Sequence, residues 1–239
     1  MEHSQFARSE MLLGESSTEN LKNCKVILFG LGGVGSYTAE ALARSGIGNI
    51  TVVDSDCVAD TNLNRQLCAL HSTIGMKKTE VVKNRILDIN PSCRVTAIDK
   101  FYLPENSDEF SLESYDYIAD AIDTVSAKID LAVKAAELDV PIISCMGTGN
   151  KLDPSQFRIS DIYKTSVCPL CRVMRCELRK RGIKSLNVVW SAEEPLKPSS
   201  TDEKTNKRAV PGSLPFVPGA AGLIMAGKII LDLSERRSK

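Results

Sequence analysis

A glycine-rich turn directly after a buried strand, near the start of the chain, constrains the fold more than any other feature of this sequence. Residues 26–29 read Val-Ile-Leu-Phe, and the chain continues Gly-Leu-Gly-Gly-Val-Gly as far as Gly35. Gly30 permits a tight turn, and Gly35 lets the following helix pack closely. Gly32 and Gly33 let backbone N–H groups approach a phosphate at the N-terminus of that helix. The segment therefore predicts a nucleotide-binding site.

An acidic residue stands where this kind of turn requires one. Asp54 ends the next apolar run, Ile50 to Val53, nineteen residues after Gly35. In folds with this turn, an acidic residue at that place accepts hydrogen bonds from ribose hydroxyls. Asp54 is therefore predicted to bind a ribose, but this residue alone does not separate NAD from ATP.

Strand and helix patterns alternate through the first 150 residues. An amphipathic segment, residues 6–13, is expected to be followed by a polar loop that leads to the first strand. Four more strands are predicted at residues 49–54, 93–98, 115–121 and 140–144, with helices at 36–44, 79–87 and 126–138. This alternation predicts the α/β class, with a Rossmann-like, doubly wound and mainly parallel sheet.

The pattern changes after residue 150. Residues 1–150 are expected to hold the N-terminal helices and the nucleotide-binding core, with residues 151–239 packed on the same domain. The second part carries a basic helix, a polar stretch at 192–208 and a closing apolar helix at 220–233. The polar stretch is predicted to be a mobile loop, either a surface insertion or a functional lid.

Charge and hydropathy limit the partners of the chain. Its 239 residues carry 30 basic and 30 acidic side chains, so no global field indicates nucleic acid or a membrane, and such a partner must meet a local patch. The sequence has no uninterrupted apolar run of about 18 residues, and its beginning lacks the layout of a secretory signal. We therefore expect a soluble, cytoplasmic protein with no membrane partner.

Eight cysteines are spread along the chain, and only Cys168 and Cys171 form a C-x-x-C pair. Cysteines in apolar runs behave as small hydrophobes, and a disulfide framework is not expected in such a chain. The pair could be half of a zinc site or a redox pair. A zinc cluster needs four ligands, and the sequence offers no second pair and no nearby histidine, since its histidines are His3 and His71. Zinc is therefore disfavoured.

Cationic and acidic residues follow the predicted strands, at the edge where open α/β sheets bind ligands. Arg65 and Lys78 can hold a polyphosphate and neutralise charge that develops at phosphorus. Asp123, just past another strand, can hold Mg²⁺ that bridges phosphate oxygens. A dinucleotide dehydrogenase has no need of such groups, so the set favours ATP. Taken singly, each residue could instead be a solvated charge, a turn former or a helix cap.

Taken together and in order, these blocks resemble those of the ubiquitin-activating, or E1-like, adenylation superfamily. The matching blocks are the glycine turn 30–35, Asp54-x-Asp56, Asn62-x-x-Arg65-Gln66, Gly75-x-x-Lys78 and Asp120-x-x-Asp123. The resemblance covers residues 6–150. It implies that a substrate carboxylate attacks the α-phosphate of ATP, which forms an acyl-adenylate and releases pyrophosphate.

The same resemblance implies the roles of single residues. Asp54 would bind the ribose, Asp123 would hold Mg²⁺, and the phosphates would be held by Asn62, Arg65 and Lys78. The predicted nucleotide site also includes Gly30, Gly32, Gly33, Gly35, Asp56 and Gln66. Arg8, in a Phe-x-Arg motif, is implied to reach into the ATP site of a partner subunit, so a homodimer is expected. The implied catalytic residues are Arg8, Arg65, Lys78 and Asp123.

The second half resembles one branch of that superfamily, the tRNA threonylcarbamoyladenosine dehydratases. The matching segments are 146–154, 161–165, 169–175, 177–183, Gly212-Ser213 and Phe216-Val217-Pro218. A basic stripe agrees with this branch, because residues spaced by three and four share a helix face. The predicted tRNA-binding residues are Arg172, Arg175, Arg179, Lys180, Arg181 and Lys184. A solvated helix face is the alternative, but the resemblance favours a phosphate backbone.

The implied reaction is an ATP-dependent dehydration of the modified nucleoside threonylcarbamoyladenosine. Its carboxylate would be adenylated, and the neighbouring carbamoyl group would then close onto the activated carbonyl and expel AMP, without an enzyme nucleophile. The alternatives are activation of the C-terminal glycine of a sulfur-carrier or ubiquitin-like protein, a non-catalytic nucleotide-binding module, and an NAD enzyme. A monovalent cation at the dimer interface and a sulfur-relay partner are left open.

Overall fold

One seven-stranded sheet organises the chain. The structure is a computed structural model that describes residues 4–197 and 211–235. The strands are β1 Lys25–Phe29, β2 Asn49–Val53, β3 Arg94–Ile98, β4 Tyr117–Asp120, β5 Ile142–Cys145, β6 Phe157–Asp161 and β7 Asn187–Ser191. Their order in the sheet is β3-β2-β1-β4-β5-β7-β6, and every neighbouring pair is parallel except β6 with β7.

Helices cover both faces of this sheet. They are α1 Ala7–Leu13, α2 Glu15–Asn23, α3 Gly35–Arg44, α4 Lys78–Ile89, α5 Val125–Glu137, α6 Pro169–Lys180 and α7 Phe216–Glu235. Short 3₁₀ turns cover Asp60–Asn62, His71–Thr73, Pro104–Phe110, Leu112–Ser114, Pro154–Gln156 and Ile162–Lys164. Helices α3, α4 and α7 bury their apolar sides in one core, while α5 and α6 cover the opposite face. The predicted doubly wound, mainly parallel sheet is therefore confirmed.

The winding of the chain creates the crevice in which a ligand can bind. From β1 the chain goes outward to β2 and β3, and it then returns to the other side of β1 to form β4 and β5. The carboxyl ends of β1 and β4 lie side by side at this reversal. In open α/β sheets, the crevice outside the strand ends at such a reversal is the ordinary ligand site.

The segment before β1 differs from its prediction. Residues that were expected to form a polar loop form helix α2 instead. The reason is burial, because Thr18 and Leu21 are almost completely covered within an otherwise polar segment. Gly14, with φ of +84°, makes the sharp turn between α1 and α2 that separates the two helices.

The strands β6 and β7 were not predicted. Their short runs, Phe157–Asp161 and Asn187–Ser191, lie on either side of the basic helix and pair with each other in antiparallel fashion. Strand β7 also pairs with β5, so the second half of the chain extends the sheet of the first half. Strand pairing of this kind depends on contacts across the sheet, which local alternation shows weakly.

The closing helix α7 is long and apolar, and it lies in the core. By length and composition, it is the one helix among the described residues that could cross a membrane. Met225, Ala226 and Ile229 are completely buried within the core that also contains α3. At Gly222, an added Cβ would lie 2.3 Å from the Val34 carbonyl oxygen, so α7 and the start of α3 are in close contact.

The polar stretch at 192–208 lies mostly outside the described residues. Its first residues, up to 197, are described and are held to the segment after β5. The carboxylate of Glu193 accepts hydrogen bonds from the N–H groups of Leu152 and Asp153, at 2.8 and 3.0 Å. Leu196 donates its N–H to the carbonyl oxygen of Asn150 at 2.8 Å.

Candidate active site

A cavity of about 680 Å³ lies at the carboxyl ends of β1, β2, β4 and β5. Most of the residues predicted for the nucleotide site line it, although they come from separate segments of the chain. The predicted residues that line the cavity are Gly30, Gly32, Gly33, Asp54, Asp56, Asn62, Arg65, Gln66, Lys78 and Asp123. Gly35 lies behind the cavity wall, and Arg8 is elsewhere on the surface of the same chain.

The glycine turn is built from close backbone contacts. Gly30 has φ of +86°, and a Cβ there would lie 2.7 Å from the Ala121 carbonyl oxygen. A Cβ on Gly35 would lie 1.8 Å from the Gly30 carbonyl oxygen, so only glycine fits where α3 begins. At Gly32, the nearest atom to an added Cβ is 3.9 Å away, because this residue faces the open cavity. Gly30 and Gly35 therefore shape the turn, while Gly32 leaves space for a ligand.

Asp54 ties the end of β2 to the glycine turn. One carboxylate oxygen accepts the N–H of Leu31 at 2.6 Å, and the other accepts the N–H of Asp56 at 2.8 Å. Burial raises the pKa of Asp54, and nearby Lys78 opposes this effect. A carboxylate oxygen has further lone pairs beyond these bonds, so Asp54 can also accept hydrogen bonds from a ribose.

Lys78 is a buried cation at the cavity wall. Its side chain is only 5% exposed, and its Nζ lies 2.7 Å from the carboxylate of Asp56, which is 63% exposed. Helix α4 begins at Lys78, and the Lys78 N–H donates to the Asp56 carbonyl oxygen at 3.0 Å. The ion pair is thus open to the cavity on the side of Asp56, so the ammonium can also interact with an incoming anion.

The segment after β2 presents polar groups to the same cavity. The guanidinium of Arg65 donates to the carbonyl oxygen of Thr61 at 2.8 Å and to Asn64 Oδ1 at 2.9 Å. Asn62 Oδ1 accepts the N–H of Ala59 at 3.1 Å, which fixes the 3₁₀ turn that carries it. Arg65 is half-buried and Gln66 is buried, so both side chains are held at the wall.

A buried network behind Asp123 was not predicted. Lys128 of α5 and Asp120 of β4 are both fully buried, with Lys128 Nζ 3.0 Å from the carboxylate. Lys128 Nζ also donates to the Ile122 carbonyl oxygen at 3.0 Å, and the Ile122 N–H donates to Asp120 at 3.1 Å. The hydroxyl of Ser144 donates to the second oxygen of Asp120. The network therefore fixes the turn that leads to Asp123.

The C-terminal half closes the cavity, which was also not predicted. Its contributions to the wall include Gly147, Thr148, Gly149, Leu170, Pro211, Ser213 and Pro218. At Gly149, an added Cβ would lie 2.7 Å from Pro211 Cβ. Asn150, with φ of +60°, donates its N–H to Gly212 and accepts the Gly212 N–H, at 2.8 and 2.7 Å. Asn150 could have indicated this turn from the sequence, because asparagine tolerates the left-handed conformation that it adopts here.

The basic stripe lies on helix α6, as predicted. A groove of about 390 Å³ is lined by Arg172, Arg175, Cys176, Arg179 and Lys180. The helix begins beside the nucleotide cavity, since Leu170 in its first turn lines that cavity. Arg181 follows the end of the helix, and Lys184 lies beyond it on the surface.

The basic side chains on α6 differ in how they are held. The Arg175 guanidinium donates to the carbonyl oxygen of Thr165 at 3.1 Å, and that of Arg179 lies 5.4 Å from the centre of the Tyr163 ring. Lys180 and Arg181 each lie 2.7 Å from the carboxylate of Glu177. These contacts lower the pKa of Glu177 through its hydrogen bonds with the two cations.

All eight cysteines are free thiols, and only Cys57 and Cys176 are exposed. In residues 4–197 and 211–235, no three side chains of histidine, cysteine, aspartate or glutamate are grouped as metal ligands. Cys168 and Cys171 are buried together at the start of α6. The expectation that zinc is disfavoured therefore remains a prediction about this pair.

Arg8 is exposed on α1 and does not line the cavity of its own chain. Phe6, two residues before Arg8, packs at the turn before β2. A Cβ built on Gly46 in that turn would lie 3.4 Å from the Phe6 ring. That turn is at the amino ends of the strands, whereas the cavity is at the carboxyl ends. The exposed neighbours Met11 and Leu12 are 85% and 88% accessible.

Comparison with known proteins agrees with this geometry. The model of the ThiF family matches residues 6–238. The chain belongs to the ThiF family. Among its relatives, a tRNA threonylcarbamoyladenosine dehydratase of Bacillus subtilis (strain 168) is 46% identical over 239 residues, which cover 96% of this chain and 94% of the relative. The resemblance to the E1-like enzymes, and to the dehydratase branch, is thereby confirmed.

Two further comparisons show how much of this ThiF-family chain resembles each kind of relative. The crystal structure of Escherichia coli tRNA N6-threonylcarbamoyladenosine dehydratase, TcdA, in complex with ATP superposes with a TM-score of 0.87 at 33% identity, and covers 96% of this chain and 93% of that chain. The adenylyltransferase and sulfurtransferase MOCS3 of Drosophila virilis is 35% identical over 140 residues, 59% of this chain and 30% of the relative. Similarity to the dehydratases therefore extends over nearly the whole chain, whereas the match to MOCS3 covers 59% of it.

Proposed function

We propose that this chain is an ATP-dependent tRNA threonylcarbamoyladenosine dehydratase that adenylates the carboxylate of the modified nucleoside and cyclises it. One observation carries the proposal: the cavity with Arg65, Lys78 and Asp123 adjoins the basic helix α6 through Leu170. A phosphate-binding cavity and a basic groove beside it suit a substrate that is both a carboxylate and part of a nucleic acid. Similarity to the Bacillus subtilis dehydratase over 96% of the chain supports the same conclusion.

In the proposed reaction, the first task of the protein is to hold the nucleotide. The backbone of Gly32 has room for a phosphate, Gly33 beside it lines the same cavity, and the N-terminus of α3 favours negative charge there. Asp54 binds the ribose, while Lys78 and Arg65, with Asn62 beside them, bind the phosphates. The two cations then neutralise the charge that grows on the phosphates as the carboxylate attacks and pyrophosphate leaves. The reaction is ligase-type, because ATP cleavage drives the formation of the new ring.

Mg²⁺ fits the residues present at this site. A magnesium ion bound together with substrate phosphates usually takes only one or two protein carboxylates. Asp123 can supply one of them from the cavity wall, with its turn fixed by Asp120 and Lys128. When bound, the ion would offset charge on the phosphate oxygens.

The second half of the proposed reaction needs positioning rather than a nucleophile. The carbamoyl group of the substrate closes onto the adenylated carbonyl and expels AMP, so the nucleoside loses one water in total. The wall from Gly147 to Gly149, pinned by Pro211 and Gly212, can hold the two reacting groups of the substrate near each other.

The basic helix α6 is the proposed tRNA-binding surface. Arg172, Arg175 and Arg179 line its groove, and the cations of Lys180, Arg181 and Lys184 lie at its C-terminal end. These charges would contact backbone phosphates, which position a nucleic acid without reading its sequence. A tRNA bound along the groove would reach the nucleotide cavity at the first turn of the helix.

The proposed enzyme is a cytoplasmic homodimer in which Arg8 completes the site of the partner subunit. Arg8 is exposed, does not line its own cavity, and lies next to the exposed apolar residues Met11 and Leu12 on α1. A second copy would cover these residues and bring Arg8 to another cavity. A monovalent cation at that interface and a sulfur-relay partner stay open.

The mass of the modified nucleoside tests the proposal. Purified protein would be incubated with ATP, Mg²⁺ and tRNA that carries threonylcarbamoyladenosine, and the digested nucleosides would be weighed. We expect a loss of one water that depends on ATP and disappears with Lys78→Ala and Arg65→Ala.

The competing function predicts a different result. If the nucleoside is unchanged, and ATP/pyrophosphate exchange appears only when a sulfur-carrier or ubiquitin-like protein is added, the substrate of the enzyme is a protein C-terminus. Tight binding of NADH, or nucleotide binding without either activity, would contradict the proposed chemistry altogether.

A further inference from the structure

Two buried cysteines next to the nucleotide cavity have no part in the proposed reaction. Cys168 directly precedes helix α6, and Cys171 is the third residue of that helix. Their exposed fractions are 3% and 0%, and both are free thiols. Leu170, which lies between them, lines the nucleotide cavity. The pair therefore lies directly beside a residue of the cavity wall in the chain.

The surroundings of the two sulfurs are unequal. The groups near the Cys168 sulfur that can donate hydrogen bonds are the thiol of Cys171 and the backbone N–H groups of Cys171, Gly147 and Leu170. These donors lower the pKa of Cys168 to about 5, while the same partnership and burial raise the pKa of Cys171. Negative charge is also favourable at a helix N-terminus. The environment therefore favours a thiolate on Cys168 beside a thiol on Cys171, and the thiolate is the form of cysteine that attacks as a nucleophile.

Cys168 also touches the cavity wall. A Cβ built on Gly147 would lie 3.9 Å from the Cys168 sulfur, and Gly147 lines the nucleotide cavity together with Thr148 and Gly149. On its other side, this wall is pinned to the segment before α7 through Asn150. A change of charge at the Cys168 sulfur would therefore alter a contact that supports the wall at Gly147.

We propose that Cys168 and Cys171 are a redox-active pair that a peroxide oxidises to a disulfide, and that this disulfide weakens nucleotide binding through Gly147. One observation favours this over zinc: in the part of the chain that the structure describes, no further ligands converge on the two sulfurs. The link to activity rests on the proposed function, but the disulfide and its effect on ATP binding do not.

The chemistry needs only a peroxide. The Cys168 thiolate attacks one oxygen of hydrogen peroxide, the O–O bond breaks, and the released hydroxide takes a proton to become water. The resulting sulfenic acid on Cys168 is attacked by the Cys171 sulfur, whose proton leaves with the hydroxyl group as a second water. The two sulfurs lose two electrons and form one S–S bond, and the peroxide is reduced to two waters.

Peptide masses give a direct test in the full-length protein. Trypsin cleaves after Lys164 and Arg172, so Cys168 and Cys171 fall on one peptide, residues 165–172, that contains no other cysteine. Cys176 falls on residues 176–179, and Cys57 on residues 45–65, which provide exposed thiols for comparison. After treatment with peroxide and blocking of free thiols, we expect peptide 165–172 to be unblocked and lighter by two hydrogens.

Nucleotide binding supplies the second measurement. We expect the oxidised protein to bind ATP about tenfold more weakly, and dithiothreitol to restore the binding. Bound ATP should slow the oxidation, because it covers the wall formed by Gly147 and Leu170. In Cys171→Ser, no disulfide should form, and peroxide should oxidise Cys168 beyond the sulfenic acid. Dithiothreitol should then fail to restore ATP binding in this variant.

Three results would overturn the inference. The first is a peptide 165–172 that keeps two free thiols after the thiols of Cys57 and Cys176 have been oxidised. The second is a disulfide that forms but leaves the affinity for ATP unchanged. The third is stoichiometric zinc on the purified protein that protects both thiols. None of these measurements uses tRNA, so failure here and failure of the proposed dehydratase activity can be told apart.

Discussion

The cations of the nucleotide cavity and those of helix α6 are held in different ways. In the cavity, Lys78 is 5% exposed and fixed by Asp56 at the start of α4. At the C-terminal end of α6, Lys180 and Arg181 are 64% and 43% exposed, and both pair with Glu177. A buried charge in a preorganised place acts strongly and without rearrangement, whereas an exposed charge is screened by salt. We therefore expect catalysis in the cavity to depend strongly on single cations. Binding of tRNA at α6 should instead depend on the combined charge of several cations.

Adding one methyl group inside the glycine turn should have the largest effect. In Gly35→Ala, the new Cβ would lie 1.8 Å from a backbone oxygen that cannot move freely, so we expect little folded protein. Gly32→Ala is the matched control, because its Cβ meets nothing nearer than 3.9 Å and points to the cavity. It should fold with a normal thermal midpoint but bind ATP weakly. If Gly35→Ala melts like the wild type, the turn is not as tight as the structure indicates.

The buried ion pair behind the cavity should give the next largest effect. Lys128→Met leaves Asp120 buried without its cation, which typically costs about 3–5 kcal/mol of stability. Protein that still folds should have a lower kcat at saturating ATP, because the turn to Asp123 is no longer fixed. Lys134→Met, on the same helix α5, removes only an exposed pair with Asp108 and should leave both quantities nearly unchanged. Urea unfolding and steady-state kinetics on the two variants would decide this.

Removal of the cavity lysine tests the preorganised charge itself. We expect Lys78→Ala to lower kcat/KM by about 10²–10³, the size seen when one fixed transition-state contact is lost. Lys77→Ala is a matched control one residue earlier, since Lys77 is 46% exposed and pairs with Asp99. It should retain nearly full activity. Equal losses in the two variants would mean that general charge, and not the placement of Lys78, matters.

On helix α6, we expect smaller effects that add together. Arg172→Gln and Arg179→Gln should each weaken tRNA binding and lower the slope of log affinity against log salt by about 0.9 for each lost phosphate contact. Affinity for ATP should stay unchanged. Arg94→Gln, on the opposite edge strand β3, is the control for loss of a remote surface charge. A filter-binding titration at several salt concentrations distinguishes the groove from non-specific attraction.

Glu177→Gln should have the smallest effect, and it should strengthen tRNA binding rather than weaken it. The change releases Lys180 and Arg181 from their shared carboxylate and makes the surface more positive. We expect slightly tighter tRNA binding, most visible at low salt, and unchanged binding of ATP. Weaker binding of tRNA in this variant would show that Glu177 holds the two cations in a geometry that the nucleic acid needs.

The first half of the site could be predicted because its signals are local. Gly30 and Gly35 require backbone conformations and contacts that no other residue tolerates, so their spacing indicates the turn directly. The basic face of α6 was predictable for a similar reason, since a helical repeat follows from sequence alone. The prediction of a polar loop at α2 was wrong, because the burial of Leu21 depends on α7, a helix far away in the sequence.

The sequence by itself determined the alternation of strands and helices from β1 to β5, the nucleotide turn and the residue types that meet a phosphate. Each of these follows from conformations and spacings within a few residues of the chain. Only the tertiary structure decided that Pro211 and Pro218 close the cavity, that Lys128 supports the turn of Asp123, and that Cys168 touches Gly147. The reason is physical: those contacts join residues far apart in the chain, and close packing of the whole domain decides which of them meet.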